Sequence, residues 1–238
     1  MTNMMNIEMM LKYSRVQSVA RKVLNEIAFC INENSTEASI SSDCVKLLRK
    51  YGITETWYYN VPALVLLGLR SCFSISGKDY TPDNNEIVGT ENLITVDLSP
   101  LDGSIWGDCA RSFVFQKGKT ADENNYGEFS EGMNFQKKLH NEMKSFVSTE
   151  TTFEELFCFA NDLIKSNGFE NLDFIGNLGH SIEKEKIERI YIEKNNHNKL
   201  SSVNFFTFEP HIKIIGGKWG FKHENIYYFD STGRIKEL

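Results

Sequence analysis

The sequence lacks paired cysteines and long apolar runs. Its five cysteines show no CxxC spacing, and their odd number argues against a disulfide framework. No stretch reaches the ~18–20 apolar residues of a membrane span, and the N-terminus lacks the apolar core and cleavage site of a signal peptide. We therefore expect a reduced, cytoplasmic protein with no membrane partner.

An excess of positive charge is also missing. The formal net charge is −6, and acidic and basic residues are interspersed along the chain. This balance argues against a nucleic-acid partner, although it allows an acidic pocket that binds a cation. With 238 residues, of which 41% are hydrophobic, the chain can bury a substantial core, and we expect one domain covering residues 1–238.

The apolar spacing predicts two pairs of helices separated by strands, an arrangement that repeats along the chain. The predicted helices are residues 4–32, 41–50, 129–147 and 152–167, and the strand-like stretches are residues 61–75, 93–99, 109–116 and two more after residue 203.

A hairpin is predicted in "VDLSPLDGSIWGDCARSF", residues 96–113, where apolar runs flank Asp102-Gly103. If these are the two loop residues, Asp97 lies directly opposite Asp108. Like charges in that position are destabilising unless a proton or a cation neutralises them. The alternative is a bulge that leaves both aspartates as ordinary turn or edge residues.

A second hairpin repeats this arrangement near the C-terminus. Its strands, in "VNFFTFEPHIKII" and "KWGFKHENIYYF", meet around Gly216-Gly217, which places Glu209 opposite Glu224. One such acid pair is easily accidental, but two suggest a four-carboxylate cluster, which must hold cations to be tolerated in a folded interior. We therefore favour a metal site over the ordinary reading.

One of the five histidines is expected to join the carboxylates, which would select Mn, Fe, Co or Zn rather than Ca. His180, in the apolar stretch "FIGNLGHSI", is the best candidate, and a core histidine is the alternative. His211 and His223, close to the two glutamates, could support the ligands. We expect His140 and His197, in charged segments, on the solvated surface.

The order Asp, Asp, His, Glu, Glu, carried on "ITVDLSP", "GDCARSF", "LGHSI", "FTFEPHI" and "HENIYYF", resembles the pita-bread metallopeptidases. That superfamily contains methionine aminopeptidase, aminopeptidase P, prolidase and creatinase. The resemblance implies an α+β fold in which a curved antiparallel sheet is covered by two helix pairs related by a pseudo-twofold repeat.

The resemblance also implies a role for each motif residue. Asp97 would bind one metal ion, Asp108 and Glu224 would bridge two ions, and His180 and Glu209 would complete the other. Two divalent ions, drawn from Mn, Co, Fe or Zn, would activate a water molecule, and Glu209 would act as general base and then acid.

Two histidines that usually contact the substrate in this superfamily are missing. An ungapped comparison places Asp79 at the upstream position and Ile187 at the downstream one. Asp79 is therefore a candidate for binding a charged group of the substrate. The run from Glu183 to Lys194 is interpreted as a solvated helix face or loop. The aromatic residues 57–59 could line a pocket, but we expect them to pack in the core.

The leading functional interpretation is an amide hydrolase, most similar to aminopeptidases of the Xaa-Pro or methionine type, with a peptide or small amide as substrate. One alternative is a catalytically weak relative that holds metal and acts as a binding module. Another is a creatinase-like hydrolase of a small amide. A homodimer is compatible with each interpretation.

Overall fold

The computed structural model describes residues 7–121 and 127–238, which form four α-helices and thirteen strands. The helices are α1 (Ile7–Cys30), α2 (Glu37–Lys50), α3 (Gly127–Phe146) and α4 (Phe153–Ser166). The strands are β1 (Glu55–Thr56), β2 (Ala63–Leu67), β3 (Glu91–Leu98), β4 (Pro100–Asp102), β5 (Ile105–Trp106), β6 (Cys109–Gln116), β7 (Lys119–Ala121), β8 (Phe169–Asn171), β9 (Phe206–Phe208), β10 (His211–Ile214), β11 (Gly220–Lys222), β12 (Asn225–Phe229) and β13 (Ile235–Glu237).

All four predicted helices are present, with small differences at their ends. The first was predicted from residue 4, and residues 4–6 lie outside the described chain. The second begins earlier than predicted because Thr36 caps it: the Thr36 hydroxyl accepts from Ser39 N, and Ser39 Oγ accepts from Thr36 N. Helix α4 begins with the same reciprocal bonds between Thr152 and Glu155. Such a capping box satisfies amide groups that the first helical turn leaves without partners.

The strands form antiparallel sheets that connect the two halves of the chain. In the first half, the sheet has the order β2-β3-β6-β7, with a small sheet β1-β4-β5 beside it. In the second half, the orders are β13-β12-β9 and β11-β10-β8. The halves meet along β6, where Arg111 bridges to His223 and Glu224 N donates to Ala110 O at 3.0 Å.

The first predicted hairpin forms, but its predicted register is wrong. Asp97 pairs with Ala110 rather than with Asp108, and Asp102 pairs with Ile105 as part of strand β4. The loop therefore begins at Gly103, whose φ of 62° lies in the left-handed region that glycine adopts without a steric cost. Asp108 consequently lies in the interruption between β5 and β6.

The second hairpin has the predicted register. His211 pairs with Lys222 on one side of an interruption, and Phe208 pairs with Asn225 on the other. Glu209 and Glu224 thus occupy opposed positions between these two paired segments. Pro210, which has no N–H to donate, stands in the interruption.

Each helix pair packs on the sheet of its own half over a hydrophobic cluster that also includes residues of the other half, such as Phe205 in the first cluster and Val114 in the second. In the first half, Ala20, Val23 and Ile27 of α1 are fully buried with the β2 and β3 residues Val65 and Val96. In the second half, a corresponding cluster joins α3 and α4 to β9, β10 and β12. The strand predicted over residues 61–75 is only Ala63–Leu67, followed by a 3-10 turn. None of the described helices is long and apolar enough to cross a membrane.

Candidate metal centre and substrate cavity

The acidic residues named from the sequence converge where the two halves meet. Asp97 lies near the end of β3, and Asp108 immediately precedes β6. Glu224 comes from the second half, between β11 and β12. Each of these residues offers a ligand atom, and the three atoms lie within 4.8 Å of one another. The side chains therefore meet although the first hairpin has a different register from the predicted one.

His180 completes this cluster from a loop beside β9. Its Nδ1 donates to Ser181 O at 3.0 Å, so its Nε2 faces the acids, 3.5 Å from Asp108 Oδ2 and 3.8 Å from Glu209 Oε1. Burial, helped by the cation of Arg189, lowers the pKa of His180 to about 3. The ring is therefore neutral at pH 7 and presents a lone pair on Nε2, the form in which imidazole binds metals.

Two of the carboxylates are buried where a negative charge is costly unless a proton or a cation neutralises it. Burial and the neighbouring charges of Asp97 and Glu209 raise the pKa of Asp108 well above its usual range. Burial and the charge of Asp108 do the same for Glu224. Both carboxylate oxygens of Glu224 are buried without a hydrogen-bond partner among the described residues, a costly state for a carboxylate. Four carboxylates and one imidazole suit a divalent ion of the Mn, Fe, Co or Zn type.

Lys222 also belongs to this cluster, which the sequence analysis did not predict. Its Nζ lies 2.7 Å from Asp97 Oδ2 and 3.0 Å from Glu209 Oε2. Burial alone would lower the pKa of Lys222, but Asp97 and Glu209 outweigh it and raise the pKa well above the usual range. The side chain is therefore an ammonium ion. The available signal was strand alternation, because residues two apart in a strand share a face, here Lys222 and Glu224.

A cavity of about 660 Å³ opens over the cluster. Its wall includes the aromatic residues Trp57, Tyr58 and Tyr59. The expected core packing is confirmed for Trp57 and Tyr58 and is wrong for Tyr59, which is 55% exposed. Trp57 both lines the cavity and packs in the core, because it is buried and packs on Trp106 with ring centroids 4.5 Å apart. Asp79 lies on the exposed part of the cavity wall. A volume of this size is typical of small-molecule and peptide sites.

The charged run from Glu183 to Lys194 contributes more than solvated surface. Ile187 is 95% exposed and lies outside the cavity lining, but Arg189 and Tyr191 line the cavity. The Arg189 guanidinium lies 5.1 Å from the centre of the Trp57 ring and 5.5 Å from that of Tyr191, within cation–π range. Its Nη1 is 3.5 Å from His180 Nε2. The loop thus brings a cation to the metal-binding histidine candidate.

The remaining histidines have mostly structural partners. His211 lines the cavity and donates from Nε2 to Ser71 O at 2.6 Å. The surface prediction is wrong for His140, which is buried between Tyr227 Oη at 2.7 Å and His223 O at 3.1 Å. His140 is buried because its helix position faces β12 rather than solvent. The surface prediction is confirmed for His197, whose side chain is 75% exposed.

Comparison with known proteins identifies a family over most of the chain. The profile of metallopeptidase family M24 matches residues 12–231. Among curated proteins, none matches the chain in sequence.

Solved structures resemble the chain over nearly its whole length. An X-Pro aminopeptidase from Thermotoga maritima MSB8 has a TM-score of 0.79 at 19% identity, with 98% of this chain and 61% of that chain covered. A prolidase from Pyrococcus furiosus has 0.74 at 17%, with 98% and 64% covered. A methionine aminopeptidase from Thermotoga maritima has 0.77 at 10%, with 100% and 98% covered. The chain thus spans less than two thirds of the first two. At these identities, the likeness establishes the fold.

Proposed function

Because the chain belongs to metallopeptidase family M24 and has the pita-bread fold, we propose that it is a metal-dependent hydrolase of amide bonds near the amino end of a peptide. The observation that carries this proposal is the buried Glu224 carboxylate, which has no hydrogen-bond partner among the described residues and lies beside Asp97 and Asp108. A divalent cation would supply the missing partner. His180 adds the neutral nitrogen that transition metals prefer.

The side chains that would hold metal are those named from the sequence: Asp97, Asp108, His180, Glu209 and Glu224. When bound, divalent ions activate water as a nucleophile and polarise the scissile carbonyl. The binding of two ions, drawn from Mn, Co, Fe and Zn, remains a prediction that rests on the family resemblance.

Glu209 is the acid best placed to exchange a proton with a substrate. Its side chain is 12% exposed and lines the cavity, whereas Glu224 is fully buried. Thr207 Oγ1 donates to Glu209 Oε1 at 3.2 Å, which orients the carboxylate. A positioned carboxylate at the edge of the cavity can accept a proton from the attacking water and return it to the leaving amine.

Two further cavity residues provide charge for substrate binding. Arg189, beside His180, is placed to donate to a carbonyl or carboxylate oxygen of the substrate. In the superfamily, the two missing histidines would have this role. Asp79 offers a carboxylate for the cationic amino terminus. The aromatic wall of residues 57–59 favours an apolar residue at that end of the peptide.

A second candidate function is a binding module that retains metal but turns over slowly. The departure at Ile187, which is exposed and lies outside the cavity lining, favours it, because loss of a preorganised donor can cost orders of magnitude in rate. A creatinase-like hydrolase of a small amide is a variant of the leading proposal and uses the same metal centre.

A substrate panel distinguishes these functions. Metal-loaded protein is assayed with Xaa-Pro peptides, methionyl peptides, other short peptides and small amides, in the presence of Mn, Co, Fe or Zn. We expect turnover that is abolished by a chelator and lowered at least a hundredfold in Glu209→Gln. Asp79→Ala should lower kcat/KM about tenfold with its metal content unchanged. Protein that holds metal but shows no turnover above Glu209→Gln on any substrate would exclude the hydrolase and leave the binding module.

A further inference from the structure

Two exposed apolar residues of the second half, Phe174 and Ile175, form what we call the apolar rim of the cavity. Both line the cavity, and they are 76% and 69% exposed. Phe73, which is 50% exposed, also lines the cavity. Its neighbour Ser74 donates from Oγ to Asp173 Oδ1 at 2.9 Å, which joins this segment to the rim. Three large apolar side chains are therefore exposed at the mouth of one cavity.

The backbone of the rim is held in a conformation that is unfavourable for its sequence. Ile175 has a φ of 48° and a ψ of 24°, in the left-handed region where a β-branched residue is an outlier. Hydrogen bonds on both sides impose this conformation. Asp173 Oδ1 accepts from Phe174 N at 2.6 Å. Asn171 Nδ2 donates to Gly176 O at 3.0 Å. Strain of this kind persists only where the surroundings impose it, and it is concentrated at binding and active sites.

The first-half wall of the cavity combines the same two features. Tyr59 is 55% exposed, lines the cavity and has a φ of 44°. The proposed function assigns this wall, together with Asp79, to the amino end of the peptide. Phe174 and Ile175 come from the second half, so they remain for the part of the peptide that follows the scissile bond.

Exposure indicates which residue of the peptide reaches the rim. The candidate metal ligands Asp108 and His180 line the buried end of the cavity, where they are 5% and 6% exposed. An extended peptide advances only about 3.3–3.6 Å per residue, so the groups beside the scissile bond stay near that end. The exposed rim therefore meets a residue beyond the one that directly follows the bond.

We propose that Phe174 and Ile175 bind an apolar side chain on the third residue of the substrate, counted from its amino end. This inference rests on the proposed function and names its substrate class, which is peptides of three or more residues with a large apolar third residue, rather than dipeptides. Burial of apolar surface provides the attraction. The rim is already fixed by its hydrogen bonds, so little conformational entropy is lost when the peptide binds.

The test compares tetrapeptides that differ only in the third residue, namely Ala-Pro-Phe-Gly with Ala-Pro-Ser-Gly and Met-Ala-Phe-Gly with Met-Ala-Ser-Gly. In each pair that metal-loaded wild type hydrolyses, kcat/KM should be about tenfold higher for the phenylalanine peptide. Phe174→Ala and Ile175→Asn should each reduce this preference to about threefold or less, with their metal content unchanged.

Ile175→Asn gives a second readout, because asparagine tolerates the left-handed conformation. Its melting temperature should rise by about 2–4 °C while its preference for the phenylalanine peptide falls. A purely structural role for Ile175 predicts a fall in melting temperature instead. The matched controls are Ile187→Asn and Phe29→Ala, which alter side chains that are 95% and 90% exposed and lie outside the cavity lining. Both should keep the wild-type preference.

Peptide binding to metal-loaded Glu209→Gln, measured by calorimetry, distinguishes the rim from the hydrolase. The phenylalanine peptides should bind about tenfold more tightly than the serine peptides, and adding Phe174→Ala should remove most of this difference. No preference for phenylalanine in binding or turnover, or a preference that both rim variants retain, would overturn the rim and leave the hydrolase intact. A preference in binding without any turnover by wild type would support the rim and overturn the hydrolase.

Discussion

His140 links the stability of the protein to pH. Burial lowers the pKa of His140 to about 3, from an ordinary value of 6.5. As pH falls below about 6.5, the unfolded chain takes up a proton that the folded chain cannot accept. Stability from the neutral His140 is therefore complete above that pH and is lost as pH falls towards 3, by up to about 1.4 kcal/mol per pH unit.

Replacing this side chain should remove that part of the pH dependence. Urea unfolding of wild type and His140→Gln, measured at pH 7.5 and 5.5, should give a stability difference that is about 1 kcal/mol smaller at the lower pH. Ser145→Ala, at an exposed position without a titratable group, serves as the control and should keep the wild-type pH dependence. A constant difference between wild type and His140→Gln would show that His140 titrates normally in the folded protein.

Among single side chains, the ligand candidates were easier to predict than their neighbours. Acids in apolar strands are conspicuous, so Asp97 and Glu224 could be found from the sequence alone. Lys222 had one available signal, its position two residues before Glu224 on the same strand face. Arg189 had none, because long basic side chains usually extend to solvent, and only the tertiary structure shows that it points inward.

The capping boxes at the start of α2 and α4, the second helix of each pair, should contribute measurably to the stability of the protein. Thr152→Ala removes the hydroxyl that accepts from Glu155 N and should lower the free energy of unfolding by about 1 kcal/mol. Chemical denaturation measures this change. Ser145→Ala, at an exposed position in α3, is the control and should change stability by less than about 0.5 kcal/mol. Equal effects of the two substitutions would contradict a role for the cap.

The positions of the helices and strands were predicted from the sequence more accurately than the register in which the strands pair. Helical periodicity extends over many residues, so it located α1 to α4 within a few residues. The register of a hairpin depends on which residue takes the left-handed conformation, and two neighbouring choices were available around Gly103. The second hairpin, with Gly216 in that conformation, gave the predicted register.

The stability of the assembled chain should depend on metal. An ion that binds only the folded protein stabilises it by mass action, by about 2.7 kcal/mol at a free concentration a hundred times its dissociation constant. Melting curves should therefore shift upward with added Mn, Co, Fe or Zn and return with a chelator. Glu224→Gln should remove most of the shift. If wild type shows neither a shift nor bound metal for any of the four ions, the site assignment is wrong.

The overall architecture could be predicted because five separated motifs occur in one order, which is far more specific than any one of them. The cavity could not, because it is built from loops such as residues 183–194 whose path depends on contacts distant in sequence. Trp57 illustrates the difference, since its burial was expected and its exposure to the cavity was not.

The ligand candidates come from both halves of the chain, so an ion bound to them would connect the two halves. Asp97 and Asp108 come from the first half, and His180, Glu209 and Glu224 come from the second. Neither half alone carries the full set. If the two halves were expressed as separate fragments, a bound metal ion would stabilise their association. The amount of metal that the mixed fragments retain would then measure how far they reassemble.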